Sequence, residues 1–306
     1  MCVKLIVAMC KKNGIGIDNK IPWRISEDMS YFSKKTSGNY VETNANDSIE
    51  KNKKNKKNKK NAVIMGRNTW ESLPKKYKPL PNRFNIVLSR NVQKLLELNR
   101  QYADNSDIMC VSSVDGAMDL CYDQGEKGEK GEKNIKIEYA STSQFLSCNF
   151  NDIWIIGGSS VYEEFIHRDM TLNPNVCNSN VAISSYYITY IDSEYECDTY
   201  FPMLENMNKY HLTQFEKHEC IDKNTPDASP LNVYYIVFKK IKYTDEKRIE
   251  EIFTSYRCNN GNNGNNGNKN IERDLLFYIK KKKIGLSLSL SLCSNELEIL
   301  FSMFCS

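Results

Sequence analysis

The apolar positions of this chain fall into short runs rather than long stripes. Seven stand out: Val3–Met9, Ala62–Met65, Phe84–Leu88, Ile108–Val111, Ile153–Ile156, Ser185–Ile191 and Val233–Phe238. They are rich in Val, Ile and aromatic residues, as strands buried on both faces are. Stretches with helical spacing follow several of them, and strands alternating with helices predict an α/β sheet sandwiched by helices. The first run leads straight into Lys11, Lys12 and a glycine turn, so it reads as a buried strand and not as a secretory leader.

Between the runs lie tracts too polar to bury anything: a Lys/Asn tract at 46–61, a Gly-Glu-Lys repeat at 125–133 and an Asn-Asn-Gly repeat at 259–270. These are expected to be flexible inserts or linkers, so the folded part is smaller than the 306 residues suggest. After Lys240 the pattern changes to a short amphipathic piece (Asp245 to Phe253), the Asn/Gly tract, a lysine run ending at Lys283 and a Leu/Ser alternation. A domain at 1–243 followed by a low-complexity tail at 244–306 is the organisation this predicts.

Lys and Arg exceed Asp and Glu by four, but seven lysines lie in Lys51–Lys60 alone, so the rest of the chain is net negative. No nucleic-acid footprint is expected. The eleven cysteines are odd in number, scattered and without a CxxC pair, which predicts reduced thiols in a cytoplasmic protein.

Three segments carry candidate chemistry. Ile21-Pro22-Trp23 precedes Ser26-Glu27-Asp28-Met29-Ser30-Tyr31-Phe32, read as the opening of a helix with Ser26 as N-cap, in which Asp28 and Phe32 share a face. A carboxylate there, beside Met29 and Phe32, could hold the NH groups of a heterocycle, and desolvation would favour its protonated form. Val63 to Leu73 runs from a strand through Gly66 into a helix whose first turn offers Arg67, Thr69 and free N–H groups, a geometry that fits phosphate oxygens. Trp154 to Tyr162 repeats the strand, glycine, helix order, with Gly157-Gly158 letting the backbone approach a pyrophosphate.

In this order, with Pro79-Leu80-Pro81-Asn82-Arg83, Ile86-Val87-Leu88-Ser89-Arg90, Tyr187-Ile188-Thr189 and Cys197-Asp198-Thr199-Tyr200-Phe201-Pro202, the segments resemble the dihydrofolate reductase family. The resemblance covers nearly all of Val3 to Lys240. It implies a mostly parallel twisted sheet with an antiparallel C-terminal strand, flanked by helices, and NADPH-dependent reduction of 7,8-dihydrofolate to tetrahydrofolate, with hydride going to C6 and a proton to N5, for one-carbon metabolism.

The same resemblance implies the roles. Asp28, with Trp23 and Thr189, would form the catalytic group. Val7, Ala8, Met29, Phe32, Thr69, Leu73, Leu80 and Ile156 would line the substrate, and Arg83 would grip the carboxylate of its glutamate tail. Ala8, Gly66, Arg67, Thr69, Leu88, Ser89, Arg90, Gly157, Gly158, Ser159, Ser160, Val161 and Tyr162 would hold the cofactor, under a mobile loop containing Ile15 and Gly16. No metal is expected.

The polar inserts, Tyr195-Glu196-Cys197-Asp198 and Trp70-Glu71-Ser72-Leu73-Pro74-Lys75-Lys76 resemble the reductase half of apicomplexan, malaria-parasite-type bifunctional dihydrofolate reductase–thymidylate synthases. Such relatives dimerise through the synthase. No Pro-Cys-His nucleophile motif follows here, so no synthase activity is expected, and the tail reads as a truncated or mis-spliced end. Other readings weighed are a catalytically inactive binding homologue, a membrane-associated tail at Lys280 to Phe304, and a metal site at His211, His218 and Cys220, whose spacing matches no standard zinc module.

Overall fold

The computed structural model describes residues 2–37, 60–98, 100–102, 105–122, 150–171, 181–204, 207–225 and 229–240. Most of the Lys/Asn tract, the 125–133 and 259–270 repeats and the whole tail from 244, with its membrane reading, lie outside the described residues.

Ten strands and five α-helices are described. The strands are β1 (Val3–Cys10), β2 (Gly14–Gly16), β3 (Asn61–Gly66), β4 (Arg83–Leu88), β5 (Ile108–Val111), β6 (Ile153–Ile155), β7 (Ile183–Ile191), β8 (Thr199–Tyr200), β9 (Tyr210–Cys220) and β10 (Leu231–Lys240). The helices are α1 (Ser26–Thr36), α2 (Arg67–Ser72), α3 (Val92–Leu98), α4 (Val114–Tyr122) and α5 (Ser159–Thr171).

Eight strands form one sheet in the order β5-β4-β3-β6-β1-β7-β10-β9. Every pairing from β5 across to β7 is parallel, whereas β10 is antiparallel to both β7 and β9 and alone runs against the rest. All seven strands expected from the sequence are present, within two residues at each end. The expected sheet, with its reversed C-terminal strand, is the observed one.

Side chains alternate across the sheet, as the pleat demands. On one face Leu5, Val7, Ile64, Ile155 and Ile188 pack under Ala117 and Met118 of α4 and Val161 and Phe165 of α5. On the other, Ile6, Val63, Met65, Trp154 and Tyr187 meet Trp70 of α2, Leu95 of α3, and Tyr31 and Phe32 of α1. Both faces are therefore covered, which is why the central runs are continuously apolar instead of alternating.

Three strands had no clear signal. β9 lies at the sheet's edge and reads Tyr-His-Leu-Thr-Gln-Phe-Glu-Lys-His-Glu-Cys, with Glu216 to Glu219 exposed, so its apolar content is diluted. β2 and β8 form a separate two-stranded ribbon, too short for periodicity to register. At the base of the sheet the buried carboxylate of Asp169 accepts hydrogen bonds from Ile183 N (3.1 Å) and Tyr210 Oη (2.8 Å), with Lys209 and Lys240 Nζ 3.9 and 3.7 Å away. That knot joins α5, β7, β9 and the end of β10.

Candidate active site

Asp28 sits in the first turn of α1, facing the sheet, and is 5% exposed. Ser26 does not cap this helix: it is the first helical residue, and Ile25 occupies the N-cap position with no side-chain hydrogen bond. Burial in the core takes the place of a cap, since Ile25 is fully buried.

Burial pushes the pKa of Asp28 up to about 6, against hydrogen bonds from Thr189 and from Trp23 that lower it. Thr189 lies on β7 in register with Ala8 of β1, and is 1% exposed. The indole N–H of Trp23 is buried without a partner of good hydrogen-bond geometry, and its effect on Asp28 is smaller than that of Thr189. We therefore regard Thr189 as the firmer partner.

Trp23 itself is fixed from behind. Its ring packs on Tyr195 at 5.4 Å, and Tyr195 Oη donates to Asp222 Oδ2 at 2.8 Å. Asp222 Oδ1 accepts from Arg24 N and Asn224 N, both at 2.9 Å, while Asn224 Nδ2 donates to Pro22 O at 2.9 Å. Tyr195 and Asp222 thus clamp the peptide on either side of Trp23. No pattern in the sequence points to Asp222, which stands in a loop between β9 and β10, and Tyr195 carried no expected role within Tyr195-Glu196-Cys197-Asp198.

Arg83, the first residue of β4, is 3% exposed. Its Nε donates to Pro81 O (3.0 Å) and its Nη1 to Thr36 Oγ1 (2.7 Å), and the guanidinium lies 5.8 Å from the Phe32 ring. Burial lowers its pKa to about 10, so it remains charged at neutral pH. Among the described residues no carboxylate pairs with it. Nearby, Asn85 clamps Leu80 through a reciprocal pair of bonds at 3.0 and 3.1 Å, which sets Leu80 against α1's face of the sheet.

Ala8, Phe32, Leu73, Leu80 and Ile156 all lie on the face of the sheet that carries Asp28. Val7 does not: its side chain packs under α4 and α5, and only its backbone is available to a ligand. Met29 is 49% exposed and stands at the rim.

The glycine segments come together at the C-terminal ends of β3 and β6. Gly66 N donates to Gly157 O at 2.7 Å, and the Gly157-Gly158 peptide is cis. A Cβ on Gly158 would lie 3.2 Å from Thr69 Oγ1, and one on Gly66 3.1 Å from Val161 Cγ2. Bare backbone is thus what allows β3, α2 and the start of α5 to converge. In the first turn of α5, Val161 N and Tyr162 N are taken by Gly158 O, both at 3.0 Å, which leaves the N–H groups of Ser159 and Ser160 as the ones that could meet phosphate oxygens.

Other expected cofactor residues are partly committed elsewhere. Ser159 Oγ donates to Tyr200 O (2.8 Å), Ser89 Oγ to Asn91 O (3.0 Å), and Tyr162 Oη to Ile6 O (2.8 Å). Arg67 pairs with Glu71 at 3.5 Å, while Arg90 and Ser160 are exposed at the surface and Leu88 is half-buried. Ile15 and Gly16 lie in β2, whose turn is bonded to the 197–201 segment: Asp198 N donates to Gly16 O (3.0 Å) and Asp18 N to Asp198 Oδ2 (2.9 Å).

A family model for dihydrofolate reductase matches residues 2–58 and 47–127. The chain is 30% identical over 239 residues to a dihydrofolate reductase of Heliothis virescens, covering 78% of this chain and 97% of that one. The chain belongs to the dihydrofolate reductase family. It is also 29% identical over 248 residues to the bifunctional dihydrofolate reductase-thymidylate synthase of Plasmodium berghei (strain Anka), and 31% over 202 residues to bifunctional dihydrofolate reductase-thymidylate synthase 2 of Arabidopsis thaliana. It spans 35% and 26% of those two proteins, which also extend into a synthase.

The metal reading fails on geometry. His211 and Cys220 lie nine residues apart on one extended strand, roughly 30 Å at the usual rise, so they cannot share an ion. Among the described residues no helix is long and apolar enough to cross a membrane.

Proposed function

We propose that this dihydrofolate reductase family member reduces 7,8-dihydrofolate to tetrahydrofolate with NADPH, within a unit spanning residues 1–243. One observation carries the substrate reading. Among the described residues, a buried acid without a cation, Asp28, and a buried guanidinium without a carboxylate, Arg83, flank the same helix. Arg83 binds Thr36, eight residues after Asp28 on α1, so the two stand about 12 Å apart along its axis. An elongated ligand with a cyclic amidine at one end and a carboxylate at the other satisfies both, as dihydrofolate does.

Asp28 takes the ring's NH edge and holds a proton for N5, with Thr189 orienting the carboxylate and Trp23 closing the site above it. Phe32, Leu80 and Ile156 exclude water from the ring, which keeps the acid's pKa high. Arg83 still has donors free for the tail carboxylate, where a planar fork suits a bidentate partner. Arg67, Thr69 and the Gly157-Gly158 cradle would hold the cofactor's phosphates, with Arg90 at its adenosine end. NADPH supplies the hydride when bound.

The test is dihydrofolate-dependent oxidation of NADPH by wild type and by Asp28→Asn. Loss of roughly 10² to 10⁴ in rate at neutral pH, with NADPH binding retained, is the expected result. A folded, NADPH-binding wild type with no turnover would point instead to an inactive homologue.

A further inference from the structure

Cys10 ends β1, two residues past Ala8, and Cys197 lies on the strap between Tyr195 and Asp198. Their Sγ atoms are 3.8 Å apart. The strap is bonded along its length to the turn beside the cofactor cradle: Asp198 N to Gly16 O, Asp18 N to Asp198 Oδ2, and Phe201 N to Asn13 O at 2.8 Å. Between β1 and the strap stands Gly14.

Gly14 has φ −64° and ψ 135°, which any residue adopts, so its backbone does not require glycine. Space does. A Cβ there would lie 2.5 Å from Cys197 Sγ, 2.9 Å from Cys197 Cβ and 2.9 Å from Cys10 Sγ. The two sulfurs together fill the volume that a side chain would take, and so are held facing each other. A disulfide bond is about 2.05 Å long, so closure asks the sulfurs to approach by less than about 2 Å.

We propose that Cys10 and Cys197 are a redox site, closed to a reversible disulfide by exchange with a small oxidised thiol such as glutathione disulfide, and that closure locks the strap and its turn. Cys197 is half-buried and Cys10 fully buried. Burial and the neighbouring Cys197 raise the Cys10 pKa to about 12, so attack begins at Cys197. The Cys197 thiolate displaces one glutathione thiolate, leaving a mixed disulfide. Cys10 then loses its proton and displaces the second glutathione. Two electrons and two protons pass from the pair to the oxidant, which leaves as two molecules of glutathione.

Bond formation stands on the geometry alone, whereas its effect on turnover rests on the function proposed above. The full chain is equilibrated with glutathione disulfide or with dithiothreitol, alkylated, digested and mapped by mass. A Cys10–Cys197 linked peptide is expected in the oxidised sample and absent from Cys197→Ser and Cys10→Ala. NADPH oxidation is expected to fall severalfold on oxidation and to recover with dithiothreitol, while Cys197→Ser keeps its rate under oxidant. Both thiols alkylated after oxidation would overturn the site. A mapped bond with unchanged turnover would overturn the lock. If the reduced protein turns over nothing, the peptide map still decides the bond, and only the functional reading falls.

Discussion

Two buried carboxylates stand on either side of Trp23, and they carry opposite charge preferences. Asp28 is 5% exposed and Asp222 is 2% exposed, so burial does not distinguish them. Asp28 has only the Thr189 hydroxyl and the Trp23 indole to set against desolvation, and desolvation wins, taking its pKa to about 6. For Asp222 desolvation also pushes upward, but the N–H groups of Asn224 and Arg24 and the hydroxyl of Tyr195 outweigh it and hold the pKa below the usual carboxylate value. The lesson is that donor supply, not depth, decides which acid is ready to give a proton and which is a fixed anion.

The contrast can be broken most sharply at Asp28. Its folded pKa is raised, so the folded state prefers the proton, and stability is lost as pH rises from about 3.8 towards about 6. The difference corresponds to about 3 kcal/mol at neutral pH. Asp28→Asn should therefore be more stable than wild type by up to that amount in urea unfolding above pH 6, with the gain vanishing near pH 4. A gain independent of pH would show that Asp28 is not the acid described.

At Asp222 the sign reverses. Asp222→Ala strands two part-buried N–H groups and a phenol, and should cost about 2 kcal/mol at neutral pH. Because its folded pKa is depressed, wild type should surrender this contribution only as pH falls through the folded value, below the usual carboxylate range. Equal urea midpoints for mutant and wild type at pH 7 would remove the clamp from the argument.

Two smaller changes sharpen the picture. Tyr195→Phe deletes one of the three donors to Asp222 and should cost about 1 kcal/mol by the same measurement. Thr189→Val removes the firmer donor to Asp28, so the fall of kcat/KM with rising pH should move to higher pH, with stability altered by less than about 1 kcal/mol. A pH profile that stays in place would exclude Thr189 as the partner of the acid.

The acid's side of this comparison was legible and the clamp's was not. Asp28 could be read because Ile21-Pro22-Trp23 and a helix start fix its neighbourhood locally, and Gly66 and Gly157-Gly158 because strand, glycine and helix follow one another along the chain. Arg83 was singled out only through the family resemblance of Pro79-Leu80-Pro81-Asn82-Arg83. Asp222 joins Arg24 across 198 positions and Tyr195 across 27, contacts that leave no periodic trace. The side-chain direction of Val7 was lost for a different reason. A strand buried on both faces has no polar alternation to say which way each residue points. β9 was missed because edge strands carry charge on their open side.

The reversed strand β10 has a mechanical consequence. It lies inside the sheet, paired along Val233–Lys239 with β7 and along Leu231–Lys240 with β9, and Lys240 Nζ reaches the Asp169 carboxylate at its last residue. The sequence runs on from this point to Ser306. A pull directed along β10 would load both ladders in shear, so that many bonds must yield together. An edge strand peeled from its end would give way one bond at a time. Thr189 is one of the loaded rungs, opposite Tyr235 of β10, so strain along β10 would be shared among the rungs of both ladders instead of falling on Thr189 and the acid beside it alone.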